Sequence, residues 1–138
     1  MSVIKPELLA PAGTPEKLET AVLYGADAVY FGGDAFNLRI HADNFSGDDI
    51  MRAMDFCRGQ SIRTVFLLNS FLHEKDLPAA RKIVHSIKNI PFDAIMVSDP
   101  AMIGLIQDEA LTPEIHLSTQ SNTLNHMAVR FWQRAGIK

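Results

Sequence analysis

Short apolar runs alternate five times along the 138-residue chain with stretches in which apolar side chains return every three or four positions. The runs have the length of strands, and the periodic stretches have the repeat of a helix with one buried face. Glu7-Leu8-Leu9-Ala10 is the first predicted strand, closed by Pro11-Ala12-Gly13. Thr14 then stands as an N-cap, with Pro15 at the first helical position and Glu16 near the positive helix end. Leu18, Ala21, Val22 and Gly25 form the predicted buried stripe, and Gly25 releases the chain into a second strand, Ala28-Val29-Tyr30-Phe31, ending at Gly32-Gly33.

The connection from Asp34 to Phe45 runs to about a dozen residues, longer than the usual strand-to-helix join, and long ordered loops of this kind often carry function. Ser46 caps the second helix, with Asp49 placed for a capping box. Ile50, Ala53, Met54 and Cys57 make its inner face, and Gly59 ends it. Thr64-Val65-Phe66-Leu67-Leu68 is the third strand, followed by Asn69-Ser70. The third helix turns Leu77, Ala80, Val84 and Ile87 inward and leaves Arg81, Lys82 and Lys88 to solvent. Asp93-Ala94-Ile95-Met96-Val97 is the fourth strand. Ser98-Asp99-Pro100 caps a helix with Met102, Ile103, Ile106 and Ala110 inward. Glu114-Ile115-His116-Leu117 is the fifth, leading through Ser118-Thr119-Gln120-Ser121-Asn122 into a helix with Leu124, Ala128, Phe131 and Ala135 on one face and Gly136 as C-cap.

Strands separated by helices in this way predict an α/β fold of five consecutive βα units with a parallel sheet, because parallel neighbours need a crossover connection. The joins share a punctuation: Tyr24-Gly25-Ala26-Asp27-Ala28-Val29 resembles Pro91-Phe92-Asp93-Ala94-Ile95, and Ala135-Gly136-Ile137-Lys138 opens the same way, so the residues after it are expected to form a strand. A TIM-like barrel, here incomplete, and a flavodoxin-like doubly wound sheet both fit the pattern. Residues 1–138 read as a single domain, the N-terminal part of a larger barrel domain on the first alternative.

Composition narrows the function. The chain is 47% hydrophobic, enough to bury one core, and its net charge of −3 argues against an autonomous grip on nucleic acid, which needs surplus Lys and Arg on one face. Cys57 is the one cysteine, so this chain forms no internal disulfide and supplies no four-cysteine metal or iron-sulfur site. Without a basic leader or an apolar run of the roughly 20 residues that span a bilayer, the reading is cytoplasmic, with no membrane partner.

Ligands of parallel sheets bind at the carboxyl ends of strands. Thr14, Ser46 and Asp99 sit there as residue types that also cap helices. Five consecutive hydrogen-bonding residues, Ser118 to Asn122, exceed what one cap requires, and a ligand-facing role is weighed equally against a local one. The two-residue strand period puts Glu114, His116, Ser118 and Gln120 on one face. Glu7 on the inner face would need a partner, His116 or a basic residue from elsewhere, and His116 reads either as a satisfied interior histidine or as a proton shuttle. On the long loop, Arg39 can clamp a carboxylate or phosphate or pair with Asp34 or Asp43, while Asn44 can hold the loop or a polar ligand. His41 and Asp43 lack a third metal ligand, Ser70, Ser98 and Ser118 lack a nucleophile elbow, and no nucleophile-base pair follows from spacing. Gly32-Gly33 indicates a close backbone approach rather than a phosphate cradle.

Glu7-Leu8-Leu9-Ala10-Pro11-Ala12-Gly13, Tyr24 through Gly33, Asp43-Asn44-Phe45-Ser46, Val97-Ser98-Asp99-Pro100 and His116-Leu117-Ser118-Thr119-Gln120 occur in order and together resemble the N-terminal region of the collagenase-like peptidase family, group U thirty-two. The resemblance implies an incomplete TIM-like barrel inside a longer protein. It implies either a protease acting on peptide, with Asn69, Ser118 and Gln120 positioning the substrate, or a tRNA or rRNA hydroxylation factor using prephenate. In the second case Arg39 would hold a small carboxylated molecule, and downstream cysteines would hold an iron-sulfur cluster, so that this chain itself carries no cofactor. The binding residues it implies are Arg39, Asn44, Ser98, Asp99, Ser118, Thr119, Gln120 and Asn122. His41 departs from the family, which usually has a small residue there. A third class is a stand-alone flavodoxin-like binding module. Light scattering is expected to show self-association of the isolated piece through its apolar edge.

Overall fold

A computed structural model describes residues 5–38 and 44–138. Strands and helices alternate along it: β1 (Leu9–Pro11), α1 (Pro15–Leu23), β2 (Ala28–Gly32), α2 (Gly47–Gly59), β3 (Arg63–Leu68), α3 (Leu77–Ser86), β4 (Ala94–Val97), α4 (Pro100–Asp108), β5 (Glu114–Leu117) and α5 (His126–Arg134). Single 3-10 turns lie at Glu74–Asp76 and Thr119–Ser121. Each predicted strand is present, β1 beginning at Leu9 rather than Glu7.

The five strands make one sheet in the order β1-β2-β3-β4-β5, every neighbouring pair parallel. A flavodoxin-like sheet runs 2-1-3-4-5, because it reverses direction to clothe both faces with helices. No such reversal occurs here, which corrects the flavodoxin-like alternative. The physical reason lies in the faces. Val29, Phe31, Phe66, Leu68, Ile95, Val97 and Ile115 point to one side and are buried with Leu18, Met54, Ala80, Val84, Met102 and Ile106 of the helices in one cluster. On the other side Leu9 and Pro11 are exposed and Tyr30, Met96 and His116 are half-buried. An open parallel sheet with helices on one face and sequential strand order is consistent with an incomplete barrel.

Helix starts follow local chemistry. Thr14 Oγ1 accepts from the Lys17 amide at 3.2 Å, Ser46 and Asp49 form a capping box, and Asp99 Oδ1 accepts from the Ala101 amide at 2.8 Å, each satisfying amides that a helix leaves unpaired. Pro15 and Pro100 open α1 and α4.

Four expected inner-face residues lie elsewhere. Gly25 is exposed with φ +90°, because it turns the chain after α1. Ala110 is exposed at φ +52° for the same reason after α4. In α5 the expected stripe is rotated: Phe131 is 63% exposed and Leu124 lies outside the helix, while Ala128, Ala135 and the unexpected Trp132 turn toward the sheet. The rotation follows from a later start. Asn125, not the preceding polar run, caps α5 by accepting from the Ala128 amide at 3.0 Å.

The join after α5 repeats the one after α1. Gly136 has φ +86°, its amide donates to Gln133, and the Ile137 amide donates to Trp132, as Gly25 and Ala26 donate to Val22 and Ala21. Both are paired C-terminal turns that need a left-handed residue. The Lys138 amide then donates to the Ile115 carbonyl of β5 at 3.0 Å.

Candidate functional site

Register defines the inner face. Gly32, Leu67, Met96 and His116 lie in one row, and one step further toward the carboxyl ends the strand period brings Asn69, Ser98 and Ser118 alongside one another. A cavity of about 380 Å³ opens there. Tyr30, Leu67, Met96 and Leu117 give it an apolar wall, Asn69, Ser118, Thr119 and Gln120 a polar one, and Leu38 overhangs from the long loop.

The loop is held down by side-chain amides. Asn37 is buried, and its Nδ2 donates to the Gly33 carbonyl and to Asn44 Oδ1, the latter at 3.3 Å. A Cβ on Gly32 would stand 2.8 Å from Asn37 Nδ2 and 2.9 Å from its Cγ, so only glycine lets Asn37 close over the strand end. The Leu38 amide donates to Asn69 Oδ1 at 3.3 Å, Asn69 Nδ2 donates to Ser118 Oγ at 3.4 Å, and Ser118 Oγ donates to Gln120 Oε1. One continuous chain of bonds thus crosses from the loop after β2, over the end of β3, to the end of β5.

The structure brings Asn69, Ser118, Thr119 and Gln120 together around this cavity, Asn69 and Ser118 buried and the other two exposed at the rim. Ser98 lies between Asn69 and Ser118 in the row, 2% exposed, and its Oγ has no partner among the described residues. Its carbonyl accepts from Ser121 Oγ at 3.0 Å. Asp99 stands apart from the cavity's lining. Oδ1 caps α4 and Oδ2 accepts from the Leu72 amide at 3.0 Å, so both oxygens are committed to the backbone. Asn122 is exposed at φ +52° and closes the turn after Ser118, a conformation asparagine tolerates better than most residues. Asn44 belongs to the loop clamp. Arg39, with His41 and Asp43, lies outside the described residues.

At the opposite end of the inner face Arg63 Nη1 meets Glu7 Oε2 at 2.9 Å and Nη2 meets Glu114 Oε2 at 3.6 Å. Glu7 is exposed, and its partner is this arginine rather than His116 or a residue from elsewhere. His116 Nε2 lies 3.3 Å from Glu114 Oε2. The His116 contact, opposed by partial burial and aided by Lys138 and Arg63, holds the Glu114 carboxyl below its ordinary range. The Glu7 bond raises the Arg63 guanidinium further. Sequence reading placed Glu7 and Glu114 on the inner face but missed Arg63. The signal was there, since Arg63, Val65 and Leu67 share a strand parity. The same parity would have found Tyr30 and Met96 in the cavity wall.

No charged side chain lines the cavity among the described residues. The described residues also do not suit an iron-sulfur cluster: Cys57 is buried on α2, burial and then Asp93 push its thiol up to about 11, and no three His, Cys, Asp or Glu side chains converge. Cluster ligands must be deprotonated and must converge on the metal. Among the described residues no helix is long and apolar enough to cross a membrane.

The family profile described as peptidase family U32 matches residues 13–138. The chain belongs to this family. It is 38% identical over 133 residues to tRNA hydroxylation protein P1 of Bacillus subtilis (strain 168), covering 96% of this chain and 32% of that protein. It is 33% identical over 135 residues to a collagenase of Porphyromonas gingivalis (strain ATCC BAA-308 / W83), covering 97% of this chain and 32% of the relative. This U32 chain therefore spans about a third of the length of these relatives. In fold it matches the solved U32 peptidase Mk0906 with a TM-score of 0.73 at 12% identity, covering 99% of this chain and 58% of the other.

Proposed function

We propose that this U32 chain forms one wall of a substrate pocket at the carboxyl ends of a TIM-like barrel, in a larger enzyme that hydroxylates RNA. The observation that carries the reading is the described lining of the cavity. Side-chain amides and hydroxyls on one wall and Tyr30, Leu67 and Met96 on the other suit a planar polar group such as a base removed from its stack. Relatives named as tRNA hydroxylation proteins, in Bacillus subtilis and Escherichia coli, align with nearly the whole chain. Within this chain the residues bind and orient; the cluster chemistry that the family resemblance implies would have to come from cysteines elsewhere in the protein.

The second reading, a peptidase, is favoured by the similarity to the Porphyromonas gingivalis collagenase. The same wall would then hold a peptide amide. Against hydrolysis by this part of the protein, none of Ser70, Ser98 and Ser118 has a histidine among its hydrogen-bond partners in the described residues, and Cys57 is buried with a raised pKa.

The test is complementation of cells lacking the gene with the full-length protein, wild type or Ser118→Ala, followed by mass spectrometry of digested tRNA and rRNA. The RNA reading expects a hydroxylated nucleoside restored by wild type and reduced at least tenfold by the variant, one lost contact at a reacting site being worth about that much. Peptide cleavage by the purified protein with unmodified RNA would transfer the assignment to the peptidase reading.

A further inference from the structure

The chain of bonds over the strand ends has a direction, and the direction decides what the cavity presents to a ligand. The Leu38 amide can only donate, so the Asn69 atom that faces it is the acceptor Oδ1. That leaves Nδ2, which can only donate, facing Ser118 Oγ. Ser118 accepts there and spends its own proton on Gln120 Oε1. Gln120 is thereby oriented: its oxygen is used inward, and its Nε2, with two N–H groups, is left without a partner on the cavity wall among the described residues. The chain of bonds, directed in this way, links a backbone amide on the loop after β2 to the side-chain amide of Gln120 at the end of β5.

Resting on the pocket reading above, we infer that Gln120 is a specificity-determining residue whose Nε2 donates to a carbonyl oxygen of the ligand, and that Asn69 is the positioning residue that aims it. A carbonyl oxygen offers the acceptor that this amide needs. A group offering only a donor would meet Gln120 Nε2 donor to donor, and a site built for one hydrogen-bond pattern rejects the ligand that lacks it. The apolar wall of Tyr30, Leu67 and Met96 accommodates the body of a planar ring.

Asn69→Asp tests the direction by exchanging one nitrogen for oxygen. The carboxylate still accepts from Leu38, but Ser118 must now donate toward it and accept from Gln120, which turns its oxygen to the ligand. Acetophenone and α-methylstyrene serve as probes: they share a shape and differ in a carbonyl oxygen against a methylene. Titrated into the isotope-labelled full-length protein and followed by NMR at the Gln120 side-chain amide, acetophenone is expected to bind about tenfold tighter than α-methylstyrene, the scale of one net hydrogen bond with its partner left unmet. The preference should vanish in Asn69→Asp and in Gln120→Glu, whereas a merely structural role for Asn69 would weaken both probes alike. Equal affinities in the wild type, a ratio unchanged in both variants, or no response to either probe overturns the inference. Wild type that prefers acetophenone yet leaves RNA unmodified in the complementation assay sinks the RNA reading alone.

Discussion

Asp93 Oδ2 accepts from both the amide of Thr64 at 2.7 Å and its hydroxyl at 3.0 Å, tying the entrance of β4 to that of β3. Asp27 does the same two units earlier, accepting from the Leu8 amide at 2.8 Å beside β1. The repeated Asp-Ala that punctuates the sequence is thus a strand-to-strand clamp. Thr64 is buried, so removing its acceptor leaves an amide without water or partner. Asp93→Ala is expected to lower unfolding stability by about 2 kcal/mol, the cost of orphaning a buried donor bonded to a charge, measured by urea denaturation. Asp93→Asn should cost less, since its side-chain oxygen still accepts.

Asp27 links the clamp to pH. The Leu8 amide, then Lys5, hold its carboxyl below the ordinary range. A depressed folded pKa means that the stabilisation is present above the unfolded carboxylate pKa and fades as pH falls through the folded one. Wild type should therefore lose stability relative to Asp27→Asn on acidification below about pH 4, the unperturbed range of aspartate. Denaturation midpoints that keep a constant gap from pH 6 down to pH 2 would exclude this linkage.

Gly32 and Asn37 are coupled by contact. Gly32→Ala places a methyl against the Asn37 side chain at less than van der Waals distance, and an overpacked strand end costs about 1–3 kcal/mol. Asn37→Ala removes the obstructing amide at the expense of its bonds to Gly33 and Asn44. The double variant is expected to be less destabilised than the sum, with a coupling of about 1 kcal/mol by a double-mutant cycle. Additive losses would mean that Asn37 moves aside freely.

The five units, their order along the chain and three helix caps were legible in the sequence because period and capping are local. What was not legible is what depends on neighbours. Whether Phe131 or Trp132 faces inward is decided by where α5 starts, and that was masked by a polar run offering several caps. Arg63 reads as a charged strand entrance until register sets it diagonally from Glu114. Asp99 reads first as a cap and second as a ligand, and only the position of Leu72 commits its second oxygen to the backbone. The cavity required both levels: Ser118 and Gln120 from the polar run, Tyr30 and Met96 from the pairing of strands.

The polar run itself divides into parts with different work, which two substitutions separate. Asn125 caps α5, so Asn125→Ala should cost about 1 kcal/mol, the usual loss of an asparagine cap. Asn122 sits in the left-handed region with an exposed side chain, so Asn122→Gly relieves rather than adds backbone strain and should leave stability within about 0.5 kcal/mol of wild type. Neither residue lines the cavity, and both variants should keep the wild-type ratio of acetophenone to α-methylstyrene affinity. A changed ratio in Asn122→Gly would place that side chain in the ligand's path and extend the site beyond Gln120.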